Sequence, residues 1–177
     1  MKEKLKTVLL LSPLILLFDQ FTKSVIVNTM PIGSRRVVWE NFFDIVHVRN
    51  TGAAFGLLAE WPESVREPFF YFISILAIYF LYSFLKQLPD EHRNTSIPIA
   101  LIFGGALGNI TDRIFRGSVV DFLSFHWKNQ EVNWNIFGYP IGFAMSWPSF
   151  NVADTAITLG VIWLMIRMAR HQKEGTI

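Results

Sequence analysis

Residues 68–85 read Pro-Phe-Phe-Tyr-Phe-Ile-Ser-Ile-Leu-Ala-Ile-Tyr-Phe-Leu-Tyr-Ser-Phe-Leu, a run of 18 residues without a charge. A helix needs roughly 20 apolar residues to cross the hydrocarbon core of a bilayer, so this run is long enough to span a membrane. The whole chain is also apolar: 51% of its 177 residues are hydrophobic and only 17% are charged. Because a soluble domain carries about a quarter charged residues, we predict an integral membrane protein.

Further apolar stretches lie on both sides of this run. The first follows three lysines, as in a signal peptide, but no small-x-small cleavage site follows Phe18, which favours an uncleaved span. The predicted fold is an all-α integral membrane protein with four transmembrane helices in a single domain, residues 1–177. The predicted spans cover about residues 7–27, 68–85, 95–115 and 149–168.

Two polar and aromatic segments separate the spans. In residues 30–60, two runs rich in β-branched and aromatic residues (37–39 and 42–48) flank Glu40-Asn41, which predicts a small β-hairpin. Small residues follow at 50–56, and on spacing alone they form a loop that returns to the membrane. Residues 116–148 are predicted to be an aromatic loop. Five of the six tryptophans fall in these two segments, as expected for side chains in the membrane interface.

The basic residues predict the orientation. Four spans place both termini on one side, where residues 1–6, 86–94 and 167–177 hold eight Lys and Arg in 26 positions. The segments on the other side, 28–67 and 116–148, hold six in 73 positions. The positive-inside rule therefore places both termini in the cytoplasm and the two long segments outside.

Composition excludes several kinds of function. The chain has no cysteine, so thiol chemistry and Cys-bound metals are excluded, and its four histidines have no ligand spacing, so we expect no metal and no cofactor. A formal net charge of +2, with basic residues in short clusters, does not predict nucleic-acid binding.

The ionisable and amide residues of the spans collect at one depth in the outer leaflet. Asp19 and Lys23 are spaced i, i+4 in the first span, and this pair is interpreted either as a structural salt bridge or as part of the site. Gly104 and Gly108 form a small-xxx-small face for a neighbouring helix. An Asn-x-x-Asp spacing occurs twice, as Asn109 with Asp112 and as Asn151 with Asp154, and Arg113 and Asp121 lie close by in sequence. Charges in such a position predict a functional site facing outward.

Two of these acids, Asp121 and Asp154, are predicted to form a catalytic pair. At about 4 Å and an effective dielectric near 20, two carboxylates repel by about 4 kcal/mol, so the pair holds one shared proton over a wide pH range. The ionised member then takes a proton from water, while the protonated member donates to a peptide carbonyl. This is aspartic-protease chemistry.

Two other interpretations remain open from the residues alone. Buried acid pairs also occur in small transporters and proton relays, although a relay requires polar residues through the whole membrane. The cytoplasmic halves of the spans are nearly all apolar. The third interpretation is a purely structural membrane protein.

Five short motifs, in order, resemble the motif series of bacterial lipoprotein signal peptidase (signal peptidase II), over nearly the whole chain. They are Asp19-Gln-Phe-Thr-Lys23, Asn50-Thr-Gly-Ala-Ala-Phe55, Gly104-Gly-Ala-Leu-Gly-Asn-Ile-Thr-Asp-Arg113, Val119-Val-Asp-Phe122 and Phe150-Asn-Val-Ala-Asp154. The resemblance implies four transmembrane helices with a small extracytoplasmic β-cradle in the bacterial cytoplasmic (inner) membrane. It also implies cleavage of prolipoproteins on the N-terminal side of a diacylglyceryl-modified cysteine.

The resemblance also implies roles for individual residues. Asp121 and Asp154 correspond to the catalytic dyad. Residues implied to position the substrate or the dyad are Asn50, Gly52, Asn109, Arg113 and Asn151. Residues implied to support the site are Asp19, Lys23 and Asp112, with Gly104 and Gly108 at the helix contact. The expected partners are diacylglyceryl-modified prolipoproteins and membrane lipid, and the enzyme is expected to act as a monomer.

One segment departs from the family pattern. Asp121 and Asp154 are separated by more residues than the family leads us to expect, and the excess, about residues 129–147, is rich in aromatic residues and glycine. It is interpreted either as a tolerated surface insertion or as an amphipathic flap over the substrate groove.

Overall fold

The computed structural model describes residues 3–52, 58, 60–87, 93–136 and 139–173. Within these ranges the chain forms four helices and four strands. In chain order they are α1 (Glu3–Thr29), β1 (Arg35–Trp39), β2 (Phe43–Asn50), α2 (Glu63–Gln87), α3 (Arg93–Arg116), β3 (Val119–Ile136), β4 (Tyr139–Ser146) and α4 (Val152–Lys173).

Three of the helices have the length and composition of membrane spans. In the described part of the chain, α1, α2 and α4 are long and apolar enough to cross a bilayer. Their outward faces expose large apolar side chains, among them Leu10, Phe21, Ile75 and Met165, each more than 60% exposed. So much exposed apolar surface is stable against lipid and not against water. The prediction of a helical integral membrane protein is therefore confirmed for these three helices.

The remaining helix, α3, lies at the centre of the bundle. It packs against α1, α4 and α2, and residues 95–113 are all buried or half-buried. Glycines permit these contacts: a Cβ on Gly104 would lie 2.7 Å from the Cβ of Ile15 in α1. A Cβ on Gly105 would lie 2.4 Å from the carbonyl oxygen of Ala153 in α4. Such distances show that helix backbones approach closely at this point.

A four-stranded antiparallel sheet, in the order β1-β2-β3-β4, covers one end of the bundle. The predicted hairpin is confirmed, because β1 and β2 pair and the turn between them holds Asn41 in the left-handed region, at φ 64°. Where α1 ends, Ile26 and Met30 pack against Val120 and Phe122 of β3. This contact fixes the sheet against the helical bundle.

The prediction of an aromatic loop over residues 116–148 is wrong. Most of this segment forms β3 and β4, which pair from Glu131 with Ala144 to Ile136 with Tyr139. The aromatic and β-branched residues that suggested an interfacial loop are also the residues that favour strands. As a result Asp121 belongs to a strand, where it is opposite Val48 of β2. The side chains of residues 128–145 lie outside the description, so the choice between insertion and flap stays open.

Candidate active site

The structure brings Asp121 and Asp154 to the wall of one cavity. Asp121 is the third residue of β3, and Asp154 lies in the first turn of α4. The cavity has a volume of about 410 Å³, and its polar lining comprises Asn50, Gly52, Asn109, Arg113, Asp121 and Asp154, together with Ser149 and two threonines of α4. Elements far apart in sequence therefore supply one site.

Each of the two carboxylates accepts two hydrogen bonds. Asp121 accepts one from Asn50 Nδ2 at 2.9 Å and one from Asn151 Nδ2 at 2.8 Å. Asp154 accepts one from Asn109 Nδ2 at 2.8 Å and one from the backbone N–H of Asn151 at 3.2 Å. Three asparagines thus surround the pair with neutral donors.

Asn151 connects the two carboxylates. Its side-chain amide donates to Asp121, its backbone N–H donates to Asp154, and its Oδ1 accepts the backbone N–H of Asp154 at 2.9 Å. The last contact is an N-cap, in which a side-chain oxygen accepts an orphan N–H at the start of a helix. Asn151, the N-cap residue of α4, therefore also holds the carboxyl of Asp121 in β3.

Burial changes the acidity of Asp121, which is only 2% exposed. Loss of water raises the pKa of Asp121 to about 6, the Asn50 hydrogen bond opposes this rise, and the negative charge of Asp154 adds to it. Asp154 occupies a different environment, because the positive end of the α4 dipole favours a negative charge in the first turn. Burial therefore favours a proton on Asp121.

Arg113 organises the loop that follows β2. Its guanidinium lies 4.6 Å from the ring centroid of Phe70 in α2, and its Nη2 donates to the carbonyl oxygen of Gly52 at 3.1 Å. The N–H of Gly52 in turn donates to Asn50 Oδ1 at 2.9 Å. Arg113 thus holds the backbone that carries Asn50. Residues 53–55, which complete this motif, lie outside the described residues.

Asp19, Lys23 and Asp112 form a layer behind the cavity. Lys23 Nζ lies 2.8 Å from Asp19 Oδ2 and 3.0 Å from Asp112 Oδ2, and all three side chains are fully buried. Lys23 also donates to Asn109 Oδ1 at 3.0 Å. None of the three lines the cavity. Gly108 provides the space, because a Cβ there would lie 2.5 Å from Asp19 Oδ2.

Two members of this layer were not predicted from the sequence. Gln20 Nε2 donates to Asp112 Oδ1 at 3.1 Å, and Arg116 contacts the same oxygen and donates to Gln20 Oε1 at 2.7 Å. One signal was present, because Arg116 is four residues after Asp112 on a helix and such pairs face each other. Gln20 carried no comparable signal, since apart from Asp19 its partners are in α3.

Comparison with known proteins gives consistent results. A family model described as signal peptidase (SPase) II matches residues 11–170. A lipoprotein signal peptidase of Syntrophotalea carbinolica is 38% identical over 171 residues, which cover 94% of this chain and 96% of that protein. Another, from Geobacter sulfurreducens, is 38% identical over 90% of this chain and 89% of its own. A solved structure of a bacterial membrane enzyme matches with a TM-score of 0.75 and 35% identity, over 96% of this chain and 91% of that one.

Proposed function

The chain belongs to the signal peptidase II family, and from this premise we propose that it is an aspartic endopeptidase whose catalytic dyad is Asp121 and Asp154. Its substrates are prolipoproteins, which it cuts on the N-terminal side of the diacylglyceryl-modified cysteine. One observation carries the proposal: two carboxylates from different elements share a cavity and are joined through Asn151. The reaction uses no metal and no cofactor.

The environments of the two acids suggest their roles. Asp154, at a helix N-terminus, is the ionised base that removes a proton from water as the water oxygen attacks the peptide carbonyl carbon. Asp121, whose pKa is raised by burial, donates its proton to the carbonyl oxygen. When the gem-diol intermediate collapses, one of its hydroxyls returns a proton to Asp121, the C–N bond breaks, and the amine of the modified cysteine leaves with the proton that Asp154 had taken.

The surrounding amides keep the dyad oriented. Asn50 and Asn151 hold the carboxyl of Asp121, and Asn109 holds that of Asp154. Neutral donors fix the direction of a carboxyl without supplying the positive charge that would prevent it from keeping a proton. Arg113 and Gly52 act indirectly by holding the loop of Asn50.

The rest of the cavity suits a lipid-modified substrate. Along with the acids, it is lined by apolar side chains of α4, among them Ile157 and Leu159, and by Trp147. Leu159 is 55% exposed on the outer face of α4, which supports a cavity wall that faces lipid. The acyl chains of the substrate can therefore stay in the bilayer while the peptide bond reaches the dyad.

The same proposal includes the topology. The helix α3 is less apolar than the other helices, but it lies among three helices that have the length and composition of membrane spans. We therefore take α3 as the fourth transmembrane helix. The density of basic residues supports an orientation with both termini in the cytoplasm and the active site on the outer side of the bacterial inner membrane. The proposal takes the enzyme as a monomer.

A direct test compares three carboxylate variants of the purified protein in detergent. Asp121→Asn and Asp154→Asn should each lower turnover of a diacylglyceryl-modified precursor, seen as a mobility shift, by about 100-fold to 10,000-fold. Asp44→Asn is the control, since Asp44 is as buried as Asp121 but pairs with His126 and Arg35 in the sheet. Asp44→Asn should stay close to wild type. Turnover near the wild-type rate by either dyad variant would refute the aspartic mechanism and favour a relay or transport role for the acids.

A further inference from the structure

The backbone N–H before each catalytic aspartate is held by a different buried carboxylate. Val120 precedes Asp121, and its N–H donates to Asp112 Oδ2 at 2.9 Å. Ala153 precedes Asp154, and its N–H donates to Asp19 Oδ1 at 2.9 Å. The strand β3 carries one acid of the dyad and the helix α4 carries the other. In both elements, a buried carboxylate accepts the backbone N–H of the residue before the acid.

Two side chains of α1 join these carboxylates to each other. Lys23 Nζ lies 2.8 Å from Asp19 and 3.0 Å from Asp112. Gln20 Nε2 lies 3.2 Å from Asp19 Oδ2 and 3.1 Å from Asp112 Oδ1, and its two N–H groups are shared among these carboxylates and the carbonyl oxygen of Gly108 at 3.0 Å. A continuous path therefore runs from Val120 through Asp112, the two α1 side chains and Asp19 to Ala153.

We propose that Asp19 and Asp112, bridged by Lys23 and Gln20, are positioning residues that set the separation of the two catalytic carboxyls. This inference rests on the proposed function, because it takes Asp121 and Asp154 as the dyad. The bridge lies behind the cavity, outside its lining, and it acts through the backbone of β3 and α4 and through the side chain of Asn109.

The chemistry of Lys23 suits this role. An ammonium group has three donors, and here they are directed to Asp19, Asp112 and Asn109 Oδ1. With its Oδ1 occupied in this way, Asn109 must present Nδ2 to Asp154, which it does at 2.8 Å. One buried cation thus fixes both backbone anchors and the orientation of one dyad amide.

Arg116 provides a contrast within the same layer. Its guanidinium contacts Asp112, and its other hydrogen bonds go to Gln20 Oε1 and Ser24 Oγ. It reaches only one of the two anchoring carboxylates, and its side chain is 21% exposed. Both cations neutralise Asp112, but only Lys23 spans from Asp112 to Asp19.

This contrast gives the experiment, in which Lys23→Met and Arg116→Met are compared in the full chain in detergent. Both variants remove one positive charge from Asp112, and both should lower the unfolding midpoint. Only Lys23→Met should lower kcat, by about 100-fold, the loss expected when reacting groups are misplaced by about 1 Å. KM for the lipid-modified precursor should stay within about threefold in both, because the bridge does not contact the substrate.

Two results would overturn the inference. The first is a Lys23→Met variant whose kcat stays within about threefold of wild type. The second is an Arg116→Met variant that loses as much kcat as Lys23→Met, because the layer of buried charges would then contribute only to stability. If Lys23→Met does not insert into the membrane, Gln20→Met is measured in its place, and Ser24→Ala serves as its control. Gln20→Met should then lower kcat by about tenfold. An unchanged kcat would overturn the inference. Asp121→Asn and Asp154→Asn are measured alongside. Should these turn over normally, the dyad assignment fails and the positioning role fails with it, whereas inactive dyad variants beside a fully active Lys23→Met refute only the positioning role.

Discussion

The buried carboxyl of Asp121 predicts that the stability of this protein changes with pH in a way that Asp121→Asn removes. In the folded protein the pKa of Asp121 is raised from its ordinary value of 3.8 to about 6, mainly by burial. The folded state therefore holds the proton more tightly than the unfolded state does. The resulting stability is fully present below about pH 4 and is lost as the pH rises through about 6.

The size of the effect follows from the two pKa values. A difference of one pH unit corresponds to about 1.4 kcal/mol, so a rise from 3.8 to about 6 corresponds to about 3 kcal/mol of unfolding free energy. Asparagine at this position has a hydrogen-bonding cost of its own, because both oxygens of Asp121 accept from amide donors, Asn50 and Asn151. That cost does not depend on pH. The quantity to examine is therefore the change with pH, and not the absolute difference between the two proteins.

The assay is reversible unfolding of both proteins in mixed micelles at several values from pH 4 to pH 7.5. Relative to wild type, Asp121→Asn should gain about 3 kcal/mol over this range, with most of the gain between pH 4 and pH 6. Groups that titrate equally in both proteins cancel in the comparison. A difference that is constant with pH, or that changes in the opposite direction, would refute the assignment of a raised pKa to Asp121 and with it the role of Asp121 as the proton donor.

Two further predictions follow from single contacts. Asn50→Leu removes a hydrogen bond that lowers the pKa of Asp121, so this pKa should rise above about 6. The fall of kcat/KM at alkaline pH should therefore move to higher pH. If that fall occurs at the same or a lower pH, Asn50 does not have this role. Gly105→Ala would place a Cβ 2.4 Å from the backbone of α4 and should lower the free energy of unfolding by about 3 kcal/mol. The control is Gly117→Ala, whose Cβ would have no atom within 4 Å but whose backbone has a φ of 69°, and it should lower the free energy of unfolding by only about 1 kcal/mol. Equal losses for the two would show that α3 and α4 are not tightly packed at Gly105.

The sequence predicted the helices better than it predicted the outer sheet. Spans follow from the length of apolar runs, which is a local property, and the β1–β2 hairpin follows from two runs and a turn. The β3–β4 hairpin was missed because its aromatic residues suit a strand as well as an interface. The position of α3 could be predicted only through its glycines, since a helix enclosed by other helices does not need an apolar surface.

The polar residues of the site were predicted individually, but their connections were not. Residue spacing places Asn109 and Asp112 on one side of a helix, and this is as far as periodicity extends. Gln20 bonds to residues about 90 positions away, and Asn151 divides its donors between β3 and α4. Contacts of this kind depend on how α1, α3 and α4 approach one another, which a single sequence does not contain.

The distribution of charge between the two layers supports the proposed mechanism, in which Asp121 and Asp154 form a dyad that keeps one proton. Behind the cavity, the carboxylates of Asp19 and Asp112 are balanced by Lys23 and Arg116 in direct contact. Among the described residues, no salt bridge reaches Asp121 or Asp154, and their hydrogen bonds come from neutral amides. A cation in contact with the dyad would favour two ionised carboxylates, and the proton needed for the carbonyl oxygen would be lost. In the proposed mechanism, Lys23 and Arg116 therefore act from behind the cavity, where they neutralise the carboxylates that anchor β3 and α4 and make no contact with Asp121 or Asp154.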